Sequence, residues 1–150
     1  MGFDIDNGAL TSTEFLDEGF EEGSSVFMLG YPMELVDIDS NMPICRGGYI
    51  ARADKKEVQR TKNFLLDIQN LPGNSGSPII TKPEFISVGE AQALKRCALI
   101  GIIHSYIPYQ ESLINIQSNQ IVEVRSENSG LAKANPVEFI REVLEVEEKR

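Results

Sequence analysis

The residues best placed to do chemistry lie in one short string, Leu71-Pro72-Gly73-Asn74-Ser75-Gly76-Ser77-Pro78-Ile79-Ile80. A serine sits in a glycine-rich turn that runs into an apolar strand. A serine hydroxyl is a weak nucleophile until an adjacent base takes its proton. An acyl-transfer site also needs preorganised donors, commonly two backbone N–H groups, about 3 Å from the developing oxyanion. The N–H groups of Gly73 and Ser75 could be that pair. Gly73 has no Cβ, so its backbone can approach a substrate closely. Gly76 frees space directly behind the hydroxyl, and Pro78 ends the turn. Local physics leaves a second reading open: a Gly-Pro-rich hairpin loop that happens to hold a serine. The one histidine, His104, follows Ser75 in the chain.

The elements that must hold this turn read as short β-strands between turn signals. Candidate strands are 26–30, 48–52, 63–68, 78–81, 97–104, 113–116, 120–124 and 131–134. The run 97–104 is the most apolar and suits a central strand. Phe15, Leu16 and Phe20 are the anchors of an otherwise polar lead-in over 1–20. The tail changes period. Asn135 can cap a helix, Pro136 suits its first position, and Val137, Ile140, Val143 and Leu144 share one stripe. A C-terminal helix over 136–147 is expected to dock on the strands. Asp54-Lys55-Lys56-Glu57 reads as a solvated hairpin tip.

Composition narrows the partners. The chain has 150 residues and a formal net charge of −9. That sign argues against nucleic acid or an anionic membrane surface, both of which need basic patches. The chain has no apolar run long enough for a spanning helix. Residues 1–6 are acidic, without an apolar signal core, and Asp6 breaks the myristoylation pattern begun by Gly2. Cys45 and Cys97 fall in apolar segments and are expected as buried free thiols. They name no compartment, and two cysteines alone make no zinc site. Asp37, Asp39 and Asn41 alternate as calcium ligands can, but no glycine or distant glutamate completes a loop. No metal or cofactor is expected.

Gly73-Asn74-Ser75-Gly76-Ser77-Pro78 resembles the nucleophile motif of trypsin-like serine peptidases, in the form found in glutamyl endopeptidases and high-temperature-requirement proteases. Residues 23–32 resemble the strand and Gly-Tyr-Pro turn that open that family's second barrel. Arg46-Gly47-Gly48-Tyr49-Ile50 resembles its next strand. Leu99-Ile100-Gly101-Ile102-Ile103 resembles the strand that edges the substrate cleft, and 130–137 the last strand before the C-terminal helix. The resemblance covers roughly residues 20–147, one of the family's two barrels.

The resemblance implies an all-β fold: a Greek-key barrel of six or seven strands with a C-terminal helix, forming one domain over 1–150. It implies Ser75 as the acyl-forming nucleophile and Gly73 with Ser75 as oxyanion donors. Gln69 and Asn70 fall at the floor and wall of the pocket for the substrate side chain. Neither is acidic, so a preference for Lys or Arg is not implied. His104, Ser105 and Tyr106 fall on the cleft edge. His104 lies one residue beyond the position that reads acidic or glutamine side chains in some relatives, and one residue on a strand changes its face. Asn74 stands where animal trypsins carry the aspartate that pairs with a new N-terminus, so that activation route is not implied. The family's catalytic His and Asp precede the serine. Nothing before Ser75 can be that His, and Asp4 and Asp6 have no motif to anchor them as the Asp. Loss of the base costs about a million-fold in turnover. Two functions are therefore expected in competition. One is a serine endopeptidase domain that is inert alone and completed by a first barrel, or another copy of the chain. The other is a non-catalytic homologue that binds peptides or proteins in the same cleft.

Overall fold

The computed structural model describes residues 8–34, 41–82 and 97–148. The elements are α1 (Ser12–Asp17), β1 (Ser25–Gly30), a 3-10 turn (Pro32–Glu34), β2 (Ile44–Arg52), α2 (Lys55–Thr61), β3 (Phe64–Asp67), β4 (Pro78–Thr81), β5 (Leu99–Asn115), β6 (Gln120–Pro136) and α3 (Val137–Glu148). Six strands close into a barrel in the order β1-β2-β3-β6-β5-β4. Every neighbouring pair is antiparallel, and β4 returns to β1 through Met28↔Ile79 and Val26↔Thr81. The chain is thus mostly β, as expected, with six strands in the ring. Alternation explains the closure. Val26 and Met28 of β1, Phe64 and Leu66 of β3, and Ala132 and Ala134 of β6 are buried, each two residues apart.

Strand direction sorts the barrel into two ends. The lead-in, α2 and the start of α3 all lie where β1, β3 and β5 begin. The serine segment and the β5–β6 hairpin lie where those strands point. At the helix end Leu10, Phe15 and Phe20 join the same core as Phe64, Ile100 and Ile103. The Phe15 and Phe64 rings meet with centroids 5.7 Å apart. Thr11 and Glu14 form a reciprocal capping box on α1. The Ser12 N–H donates to Glu138 Oε2 of α3 at 3.0 Å, and the Ser12 hydroxyl donates to its Oε1. The expected anchors therefore hold, on a segment that is partly helical.

Several expectations need correction. Residues 113–116 and 120–124 are not separate barrel strands. They are the far ends of β5 and β6, which pair from Gly101↔Pro136 to Asn115↔Gln120 and leave the barrel as a two-stranded ribbon. Every residue from 108 to 129 is exposed. Residues 54–57 form no hairpin tip. Asp54 caps α2 by accepting the Glu57 N–H at 3.0 Å. Asn135 does not cap the last helix either. It lies within β6, which runs on through Pro136, so Pro136 is the last strand residue rather than the first helical one, and the Asn135 side-chain amide donates to the Lys62 carbonyl. Cys45 and Cys97 are free, as expected, but exposed rather than buried. Cys45 lies near the start of β2, where the burial pattern is still open, and Cys97 precedes β5. Asp4, Asp6, Asp37 and Asp39 lie outside the described residues.

Candidate active site

The serine segment, 68–77, joins β3 to β4 and is pinned at several points. The Ile68 N–H donates to the Gly130 carbonyl at 3.0 Å. The Met33 N–H of the 3-10 turn donates to the Pro72 carbonyl at 2.6 Å. Two turns then follow in series, Asn74 N–H to Leu71 carbonyl at 3.1 Å and Ser77 N–H to Asn74 carbonyl at 3.0 Å. Gly73 and Gly76 take left-handed φ of +95° and +84°, a region open to glycine at little cost. β5 clamps the turn from the side. The Gly76 N–H donates to the Ile103 carbonyl at 2.8 Å, and the Ile103 N–H to the Ser77 carbonyl at 2.9 Å.

These bonds use the amides of Asn74, Gly76 and Ser77. Among the described residues the N–H groups of Gly73 and Ser75 have no acceptor. Gly73 and Ser75 are both exposed. Five consecutive residues thus present two open donors, and they are the two that the sequence singles out. Unpaired backbone donors at an ordered turn are ready-made for an anionic oxygen.

Asn74, between them, is fully buried at 0 % exposure. Neither its Oδ1 nor its Nδ2 has a partner. Its oxygen lies against Gly30 of β1, where an added Cβ would fall 2.8 Å from it and collide with the Ser77 hydroxyl. Gly30 is therefore the residue that gives the serine turn room. Asn70 is buried as well, and its Oδ1 is unpartnered. Its carbonyl accepts the Asn128 side-chain amide from the base of the ribbon.

Gln69 is exposed, and Arg46 holds it. One guanidinium nitrogen, Nη1, donates to both the Gln69 carbonyl and its Oε1 at 3.2 Å. The Arg46 Nε is buried without a partner. Sequence reasoning placed Arg46 only as part of a strand. The signal was the alternation of Arg46, Gly48 and Ile50 on the less exposed face of β2. The sequence marks Asn74 only by its motif position. Its burial follows from the packing of Gly30 against Ser77, which no local pattern announces.

His104 follows Ile103 on β5. Ile103 points into the core and His104 outward, exposed, with its Nδ1 3.1 Å from the Ser105 hydroxyl. Tyr106 is exposed beyond it. Among the described residues the Ser75 hydroxyl has no hydrogen-bond partner, so no base is engaged with it. The structure bonds Ile103 to Gly76 and Ser77, pairs His104 with Ser105 further along β5, ties Asn70 to the ribbon base, and couples Gln69 to Arg46. No group of three His, Cys, Asp or Glu side chains fit to hold a metal occurs among the described residues. No helix among them is long and apolar enough to cross a membrane. Comparison of the chain with protein-family models, with curated proteins and with solved structures finds no match.

Proposed function

We propose that this barrel is the nucleophile-bearing half of a trypsin-like serine endopeptidase. Ser75 attacks the peptide carbonyl, and the Gly73 and Ser75 N–H groups hold the resulting oxyanion. A histidine and its orienting carboxylate come from polypeptide outside this barrel. The observation that carries the reading is the pair of open amides, Gly73 and Ser75, within residues 73–77, whose other three amides are bonded. Left-handed Gly73 and Gly76, the clamp from Ile103, and six antiparallel strands in a ring support it. In this reading the ring is a Greek-key barrel of that peptidase fold, and Gln69 and Asn70 line the pocket for the substrate side chain.

A second reading has its own observation. Among the described residues no base is bonded to Ser75, and the lead-in fills the helix end of the barrel with Leu10, Phe15 and Phe20. Such a unit suits a non-catalytic homologue that binds peptides at the same turn. A fluorophosphonate probe applied to the native protein, captured from its own cells, separates the two. The peptidase reading expects an adduct on Ser75 that disappears in Ser75→Ala. An unlabelled Ser75 in the native protein would overturn it and leave the binding module.

A further inference from the structure

The two turns of the serine segment are built alike. Each is closed by a bond from its fourth residue to its first, Asn74 to Leu71 and Ser77 to Asn74. Each has a left-handed glycine third, Gly73 at φ +95° and Gly76 at φ +84°. The second residues, Pro72 and Ser75, have no positive φ. Both are therefore type II turns. A type I turn differs from a type II turn mainly by a flip of the central peptide through roughly half a revolution. Glycine at the third position leaves both orientations open at small cost. A planar trans peptide points its N–H and its C=O in opposite directions. Whichever end is bonded thus decides what the other end presents.

The two central peptides are held by opposite ends. The Ser75–Gly76 peptide is held by its N–H, which donates to the Ile103 carbonyl at 2.8 Å, so that donor is spent. The Pro72–Gly73 peptide is held by its carbonyl, which accepts the Met33 N–H at 2.6 Å, so its donor at Gly73 stays open. Among the described residues this is the only hydrogen bond that the Pro72–Gly73 peptide makes. Met33 itself is unusual. It takes φ +54° and ψ +31°, a left-handed conformation that costs a residue with a side chain and persists only where the surroundings hold it. Its side chain is 56 % exposed, so its contribution is made by the backbone. Pro32, buried beside it, anchors the 3-10 turn that carries the donor.

We propose that Met33 is a positioning residue for the oxyanion site: its N–H locks the Pro72–Gly73 peptide in the orientation that leaves the Gly73 N–H open. This role rests on the peptidase reading and makes the site depend on a second loop, the turn that follows β1. Without the bond the peptide is free to flip into a type I turn. The Gly73 N–H then points away, and the Pro72 carbonyl, an acceptor, faces the developing negative charge. Such a site repels the oxyanion that it should hold.

The test joins NMR on the full-length chain to probe labelling of the native protein. The wild type should show a scalar coupling across the hydrogen bond, from the Met33 amide nitrogen to the Pro72 carbonyl carbon. Met33→Gly keeps the N–H and suits the positive φ, so coupling and Ser75 labelling should stay within about twofold of wild type. Met33→Pro removes the N–H. It should shift the Gly73 amide signal, leave the signals of Ile79 and Ile100 in place, and slow fluorophosphonate labelling of Ser75 by roughly tenfold to a hundredfold. If Met33→Pro does not fold, Met33→Val, ill suited to a left-handed backbone, should weaken the coupling and the labelling together. Absence of the coupling in the wild type would overturn the proposal. So would unchanged labelling in a folded Met33→Pro protein, or loss of labelling in Met33→Gly with the coupling retained. An unlabelled Ser75 in the native wild type, with the coupling present, would remove the peptidase reading and leave the peptide lock standing.

Discussion

Three residues of the serine turn make separable contributions. Gly73 holds φ at +95°. A Gly73→Ala change forces an L residue into that region and should cost about 1–2 kcal/mol, read as a fall in the urea midpoint. It should also lower probe labelling of Ser75 in the native protein, because the altered backbone moves a donor. Asn74 is different. Both of its amide atoms are buried without partners, so they carry desolvation cost with no bond in return. Asn74→Ala should therefore change stability by less than about 1 kcal/mol, against about 2–5 kcal/mol for truncating a core leucine or isoleucine. A loss above that range in thermal unfolding would mean that the amide has a partner in solution. Glu22 accepts the Ala53 N–H at 3.0 Å, and that bond holds its carboxyl below the ordinary glutamate value of 4.5. A depressed folded-state value gives stability that is present above the unfolded value and lost as the pH falls through the folded one. Glu22→Gln should flatten the stability profile below about pH 4.5 and leave the slope above it unchanged. Denaturant midpoints from pH 3 to 6 would read this, the range being about one and a half units either side of the glutamate value.

At the level of elements, the lead-in is the clearest case of a tertiary role for a weakly patterned segment. α1 spans only Ser12–Asp17 and would not persist alone, since isolated helices shorter than about 12 residues are marginal. Its capping box and the burial of Phe15 against Phe64 hold it. Phe15→Ala should cost about 3–5 kcal/mol and lower the midpoint of thermal unfolding, with α1 becoming susceptible to protease. The cap of α2 was visible in the chain as Asp54 followed three residues later by Glu57, a helix-start pattern. The same residues also suit a hairpin tip, because charged residues between two strands look alike in either case. Residues 113–124 carried the opposite ambiguity. Alternation with period two marks a strand, but not whether one face meets a core. Only the pairing of β5 with β6 places Leu113 and Val124 on a projecting ribbon. The surroundings of Asn135 and Cys45 are not local in sequence: Asn135 meets Lys62, and Cys45 sits at a strand end that no neighbour among the described residues buries.

For the whole molecule, the serine string and the β-rich architecture were legible because both rest on local rules, turn glycines and alternation. The division of the barrel into a helix end and a serine end was not, because it depends on ring closure between β4 and β1. That division predicts a gradient of opening. Amides near Leu66, Ile79 and Ile100, which are fully buried, should exchange only by global unfolding, and those of residues 108–129 by local opening. The tip of the ribbon has a consequence of another kind. Ile116 is 98 % exposed, and the turn that follows holds to Asn115 alone, through bonds to Gln117, Ser118 and Asn119. A single backbone cut there would sever no barrel contact. The two pieces would each keep one strand of the β5–β6 pair, so the protein should survive nicking as a non-covalent complex and reassemble from separately made halves. The same position could serve as a new pair of chain ends in a circularly permuted form.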